Sequence, residues 1–319
     1  MAIVNIDHQA ISDMKPYISA DIGGSHISSA AVDPQTRQLL PGTITEVKVD
    51  SSSDADDILG KWASCLSDTI KKAGSAEGIG IAMPGPFDYS NGISLIKGVH
   101  KFDSLYGINV AASLKKLLKT DIPVRFINDA TAFAIGEAWA GDAKEFKKVL
   151  AITLGTGFGS AFLDDGIPVL EGNSVPETGC VYHLPYKNGI ADDYFSTRWF
   201  VNTFNAGTGS KVKGVKEIAD LANEGDKTAL KIFNEFGTGL GEFLLPWLAG
   251  FECEVLVIGG NIANAGGLFI PAMQNVFEAG SLQTEIRTSR LKEEAALLGA
   301  AHLVDDSYYK KIEPLLKLM

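Results

Sequence analysis

Two short segments of this chain could hold a phosphate: Asp21-Ile22-Gly23-Gly24-Ser25 and Leu154-Gly155-Thr156-Gly157-Phe158-Gly159. Each ends one strand-like run and opens another, and Asn128-Asp129 lies between them in the chain. Glycines beside a hydroxyl residue let backbone N–H groups approach a phosphate that a larger side chain would crowd. Two such turns facing each other, with one carboxylate held between them, suit phosphoryl transfer, a reaction run mainly by positioning and charge stabilisation.

Elements must put those residues in one place. Residues 17–32 read as a hairpin around Gly23-Gly24, with a third strand within 42–49. Over 54–73, Ile58, Leu59, Trp62, Cys65, Leu66 and Ile70 recur at helical spacing, with an acidic start and Lys71-Lys72 near the end. Residues 78–83 form a short buried strand stopped by Pro84-Gly85-Pro86, and 109–118 a helix. A strand over 124–127 delivers Asn128-Asp129 at its carboxyl end, where ligands collect in open α/β sheets and a catalytic group is expected; a helix over 130–140 follows, with a plain helix cap as the lesser reading of Asp129. The second half repeats the hairpin over 148–163, then shows helices over 215–223, 227–250, 268–277 and 293–304. Between them a buried strand, 254–258, ends in Gly259-Gly260. The recurrence suggests an internal structural repeat, and Gly299-Ala300-Ala301 reads as close helix packing.

The 319 residues exceed a comfortable single core, so two packed domains are expected. With 28 Lys+Arg against 39 Asp+Glu, a net charge of −11 argues against sequence-independent nucleic-acid binding, which needs a basic surface. The first residues show no basic-then-apolar leader, and no apolar run is long enough to span a bilayer. Cys65, Cys180 and Cys253 form no CxxC pair and read as reduced thiols of a cytoplasmic protein.

The motifs together resemble the ROK family of sugar kinases and repressors, within the actin, hexokinase and Hsp70-like ATPase superfamily. The resemblance is carried by an ordered set running nearly the whole chain: the two glycine turns, Pro84-Gly85-Pro86, Asn128-Asp129-Ala130, Ile258-Gly259-Gly260 and Leu298-Gly299-Ala300-Ala301. It implies an α/β, two-domain actin/hexokinase-like (ribonuclease H-like) fold with an interdomain active-site cleft. The expected division is residues 1–122 plus 305–319 for a smaller domain and 123–304 for a larger one. It implies ATP-dependent phosphorylation of a hexose or hexose derivative, glucokinase-like. Asp129 matches the general base that takes the proton from the sugar hydroxyl, and Asn128 would hold a neighbouring hydroxyl. Asp21, Gly23, Gly24 and Ser25 match the first phosphate motif, with Asp21 near Mg²⁺ through water. Gly155, Thr156 and Gly157 match the second, and Gly259 and Gly260 match the glycines over which adenosine lies. The partner expected is a small-molecule sugar, with no nucleic acid and no membrane, in a homodimer or homotetramer.

The chain departs from the family after the second turn. The family's Glu-x-Gly-His is here Glu177-Thr178-Gly179-Cys180, and one nearby cysteine cannot build the family's three-Cys-one-His zinc site, so no zinc is expected. Glu177 matches the first acid. Cys180 stands in the histidine's place, as a sugar neighbour or a small buried hydrophobe. His183 either fills the vacated place or is an ordinary loop or core histidine. Asp192 aligns with the family's sugar-binding Glu, one methylene shorter. His100 and Lys101 read as a solvated loop, with approach to the sugar as the alternative. The acceptor therefore stays open, N-acetylated amino sugars included, as does a polyphosphate donor. A non-catalytic sugar-sensing regulator is the competing reading, disfavoured because too little chain precedes Asp21 for a DNA-binding module.

Overall fold

The protein is described by a computed structural model over residues 14–99 and 101–319. The first half begins with β1 (Tyr17–Ile22) and β2 (His26–Asp33), continues through β3 (Gln38–Leu39), β4 (Thr45–Lys48) and α1 (Ala55–Ala73), and reaches β5 (Ile79–Met83). A small hairpin, β6 (Phe87–Asp88) and β7 (Ile93–Ser94), precedes α2 (Val110–Leu118), β8 (Val124–Asn128) and α3 (Asp129–Trp139). Caps explain the ends of α1: Asp54 accepts the Asp57 N–H at 2.8 Å, and Gly74 closes the helix at φ 78°.

The second half opens with β9 (Lys148–Leu154), β10 (Phe158–Asp164) and β11 (Ile167–Pro168), then the hairpin β12 (Pro185–Tyr186) and β13 (Gly189–Ile190). Helices α4 (Ala191–Tyr194), α5 (Thr197–Thr208), α6 (Val215–Asn223) and α7 (Lys227–Phe251) lead to β14 (Val255–Gly259). The chain finishes with α8 (Gly266–Ala279), β15 (Glu285–Thr288), α9 (Glu294–His302) and α10 (Asp306–Ile312).

Two sheets result, of one design. The first has the order β3-β2-β1-β5-β8 with β4 also on β2; the second has β11-β10-β9-β14-β15. In each, the opening hairpin is antiparallel and the two following pairings are parallel. The internal repeat is thus present in the topology. Strand β8 pairs with β5 from Ile79↔Val124 to Met83↔Asn128, so the first sheet runs past the 122/123 boundary expected from the sequence.

The halves are interlocked. Helix α3 leaves the first sheet and packs on β9 and β10 of the second, while α9 leaves the second sheet and packs on β1 and β5 of the first. The two helices also pack on each other, so one apolar core runs from Ile18 and Ile81 through Ala132 and Ala300 to Ala151 and Val257. Glycine permits the crossing: a Cβ at Gly299 would lie 1.8 Å from the Ala132 carbonyl oxygen. A separate aromatic core, with Phe200, Phe233, Phe236 and Phe269, holds α5, α7 and α8 on the outer face of the second sheet. Among the described residues no helix is long and apolar enough to cross a membrane.

Candidate active site

A cavity of about 940 Å³ opens where the carboxyl ends of the two sheets meet. The first sheet contributes Pro84–Pro86 after β5 and Asn128-Asp129 after β8; the second contributes the β9–β10 turn and Gly260-Asn261 after β14.

Asn128 is the N-cap of α3. Its Oδ1 accepts from the Ala130 and Thr131 N–H groups at 3.1 and 3.2 Å, which directs its Nδ2 to Asp129 Oδ1 at 3.0 Å and to the Tyr89 hydroxyl at 3.4 Å. Asp129 Oδ1 also accepts the Ala130 N–H at 2.9 Å. One carboxylate oxygen is therefore pinned, and Oδ2 has no partner among the described residues. Asp129 is open to solvent on the cavity side and walled by protein elsewhere, so desolvation still pushes its carboxyl above the ordinary range, against those hydrogen bonds.

Asp21, near the end of β1, has no hydrogen-bond or ion-pair partner among the described residues. Burial first, then the charges of Asp129 and Glu293, push its carboxyl up to about 7. Two further carboxylates therefore act on Asp21, although no group of three or more His, Cys, Asp or Glu among the described residues is arranged as a ready-made metal cage. Glu293, just before α9, had been legible only as the start of a packing helix.

The first glycine turn closes through the Gly23 N–H to the His26 carbonyl at 3.0 Å, and Ser25 Oγ lies 3.3 Å from His26 Nδ1. Lys101 lies over Gly24, while His100 lies outside the described residues. The second turn closes through the Gly155 N–H to the Gly157 carbonyl at 3.0 Å. It is tied to the segment leading into α5: the Gly155 carbonyl accepts the Thr197 N–H at 2.8 Å and the Thr197 hydroxyl at 2.9 Å. Gly260, at φ 80°, packs so closely that a Cβ would lie 2.4 Å from the Leu154 carbonyl oxygen.

Asp192 does not present a free carboxylate to an acceptor. Its Oδ1 accepts the Phe158 N–H at 2.7 Å and its Oδ2 takes Arg198 at 2.8 Å, so it braces the second glycine turn. Arg198 and Thr197 were not singled out in the sequence, though they follow directly on the stretch aligned with the sugar-binding acid. Glu177 is exposed and does not line the cavity, and His183 does not line it either. The ring of His183 turns to Cys180, its Nδ1 3.7 Å from the sulfur, and Thr178 Oγ1 sits 3.1 Å from that sulfur. Burial raises the Cys180 thiol, keeping it protonated. Cys180 does line the cavity, beside Thr178 and Tyr182; Tyr89 and Leu95 complete that wall from the first half. The structure thus gathers Asn128, Asp129, Gly155, Thr156, Gly157, Cys180, Asp192 and Gly260 on one cavity. Asp21, Gly23, Gly24, Ser25 and Gly259 lie beyond its lining.

Residues 17–307 match the model of the ROK family. The chain belongs to the ROK family. It is 26% identical over 318 residues to a glucokinase of Thermotoga maritima, covering 91% of this chain and 97% of that protein. An N-acetyl-D-glucosamine kinase of Vibrio atlanticus is 27% identical over 276 residues, covering 78% of this chain and 85% of that one. A ROK family glucokinase of Streptomyces griseus, solved in complex with glucose and AMPPNP, superposes with a TM-score of 0.72 at 22% identity, covering 90% of this chain and 98% of that chain. The fold is the two-domain α/β architecture of the actin and hexokinase group.

Proposed function

We propose that the protein transfers the terminal phosphoryl group of ATP to a hydroxyl of a hexose or hexose derivative, with Asp129 as the general base. The protein is a sugar kinase. The observation that carries the assignment of the base is the half-pinned Asp129: one oxygen is held by Asn128 and the Ala130 N–H, the other has no partner among the described residues, and the residue lines the cavity beside the second glycine turn. A hydroxyl that donates to the free oxygen is held by a carboxylate whose affinity for a proton is raised by burial, as proton abstraction requires. The pinned oxygen prevents the carboxylate from rotating away. The amides of the two turns supply donors for the phosphate oxygens, and closing the cavity excludes water from the transfer.

Asp21 fits Mg²⁺. A carboxylate with no hydrogen-bond or ion-pair partner among the described residues, raised by burial and by two other acids, is relieved by a divalent cation, and Mg²⁺ is commonly held by one or two carboxylates plus waters. Bound there, it would neutralise charge on the phosphates. The acceptor meets the wall of Tyr89, Leu95, Cys180 and Tyr182, so the sugar is held by apolar and hydroxyl contacts more than by a second carboxylate. Three free cysteines fit the reducing cytoplasm.

An ADP-release assay over glucose, fructose, mannose, allose, N-acetylglucosamine and N-acetylmannosamine identifies the acceptor; release with none of them would overturn the reading. Asp129→Asn is expected to reduce turnover at least about 100-fold while leaving ATP affinity nearly intact. Undiminished turnover in that variant removes Asp129 from the role.

A further inference from the structure

We propose that Lys101 is the cationic half of the first glycine turn and contacts the terminal phosphate of the donor, an inference that rests on the kinase reading above. The side chain lies across the open face of Gly24: a Cβ there would sit 3.1 Å from Lys101 Nζ, 3.3 Å from Cε and 3.4 Å from Cδ. The ammonium has no hydrogen-bond, ion-pair or aromatic partner among the described residues.

The backbone beside it is fixed. Phe102 is 1% exposed, edge-on to Trp62 with centroids 5.4 Å apart, and donates its N–H to the Ser51 carbonyl at 2.7 Å. It does so at φ 57°, a left-handed conformation that a bulky residue keeps only when its surroundings impose it. Ser104 adds a hydroxyl bond to the Ser53 carbonyl at 2.8 Å. The lysine thus leaves an anchored stem.

Charge explains what the ammonium is for. Asp21 stands two residues before Gly23 at the end of β1, and a triphosphate adds further negative charge at this turn. A lysine is a compact charge suited to a phosphate oxygen. The turn follows β1 and Asp129, the base that meets the acceptor, follows β8, two strands away at the same carboxyl edge of one sheet, so the phosphate at this turn is the one on the acceptor's side.

The test compares Lys101→Met, which keeps an aliphatic stem over Gly24, and Lys101→Arg with the native protein. Calorimetric titration with ATP, ADP and AMP is combined with steady-state kinetics. Lys101→Met should bind ATP about 10-fold more weakly or worse, bind AMP unchanged, lower kcat and leave the sugar KM alone; Lys101→Arg should recover most of the loss. Equal losses for ATP and AMP, or none, would overturn the assignment of Lys101 while leaving the kinase reading intact. A native protein that neither binds ATP nor phosphorylates a sugar would overturn both.

Discussion

A carboxylate's chemistry depends on which of its oxygens is already engaged, and the cleft shows both outcomes. Asp129 keeps one oxygen free; Asp192 keeps none, because the Phe158 N–H and Arg198 take both. Asp192 should therefore act through the phosphate turn. Asp192→Ala is expected to raise the KM for ATP about 10-fold with a smaller change in the sugar KM, and Arg198→Met, which breaks a pair exposed on the arginine side, should do the same more weakly. A sugar KM that rises more than that for ATP would return Asp192 to the acceptor side. The acids also set a pH signature. Asp21 holds its proton up to about 7 against an ordinary 3.8, so the folded chain binds that proton more tightly than the unfolded one and stability falls as pH rises between those values. His302, stacked between Trp139 and Tyr308 at 4.4 and 3.9 Å, is held down to about 4 against 6.5, so stability falls as pH drops between those values. The two slopes oppose each other. Asp21→Asn removes one of them and keeps the histidine's, so its denaturant midpoint should fall more steeply than the native one from pH 6.5 to 4; parallel profiles would refute this balance.

At the scale of elements, α3 and α9 cross at backbone contact in the molecule's centre. Gly136 and Gly299 face the partner helix's backbone, with Cβ positions 1.9 and 1.8 Å from the Ala295 and Ala132 carbonyl oxygens. Neither oxygen can yield without moving its helix. Gly299→Ala is expected to destabilise the fold by about 2 kcal/mol or more, read as a lowered urea midpoint, whereas Gly60→Ala, with open space around it in α1, should be neutral or stabilising. The signals that made α1 readable were local: apolar residues at helical spacing, an acidic start and Lys71-Lys72 at its end. Helix α5 escaped notice because weak helix formers, Thr, Val, Asn and Gly, fill much of it and no side chain caps it, and the edge strand β15 because it is four residues long. The glycine turns were readable for the same local reason, and the engagement of Asp192 was not, since only the folded chain brings the Phe158 N–H to it.

For the whole molecule, repetition in the sequence was faint while repetition in the sheets is complete, because side-chain identity can drift so long as strand order and the apolar core survive. The exchange of α3 and α9 between the sheets left no trace in the periodicity of either helix; burial nearly all round is compatible with several placements. That exchange bears on how the cleft closes. Asp129 opens a helix whose preceding strand belongs to one sheet and whose length rests on the other. If the sheets are the jaws of a tool, this residue sits at the rivet. A rotation of one jaw on the other would swing the second glycine turn relative to the first while Asp129, the proposed base, stayed near the axis, so the geometry at the proton would be set before the phosphate arrives.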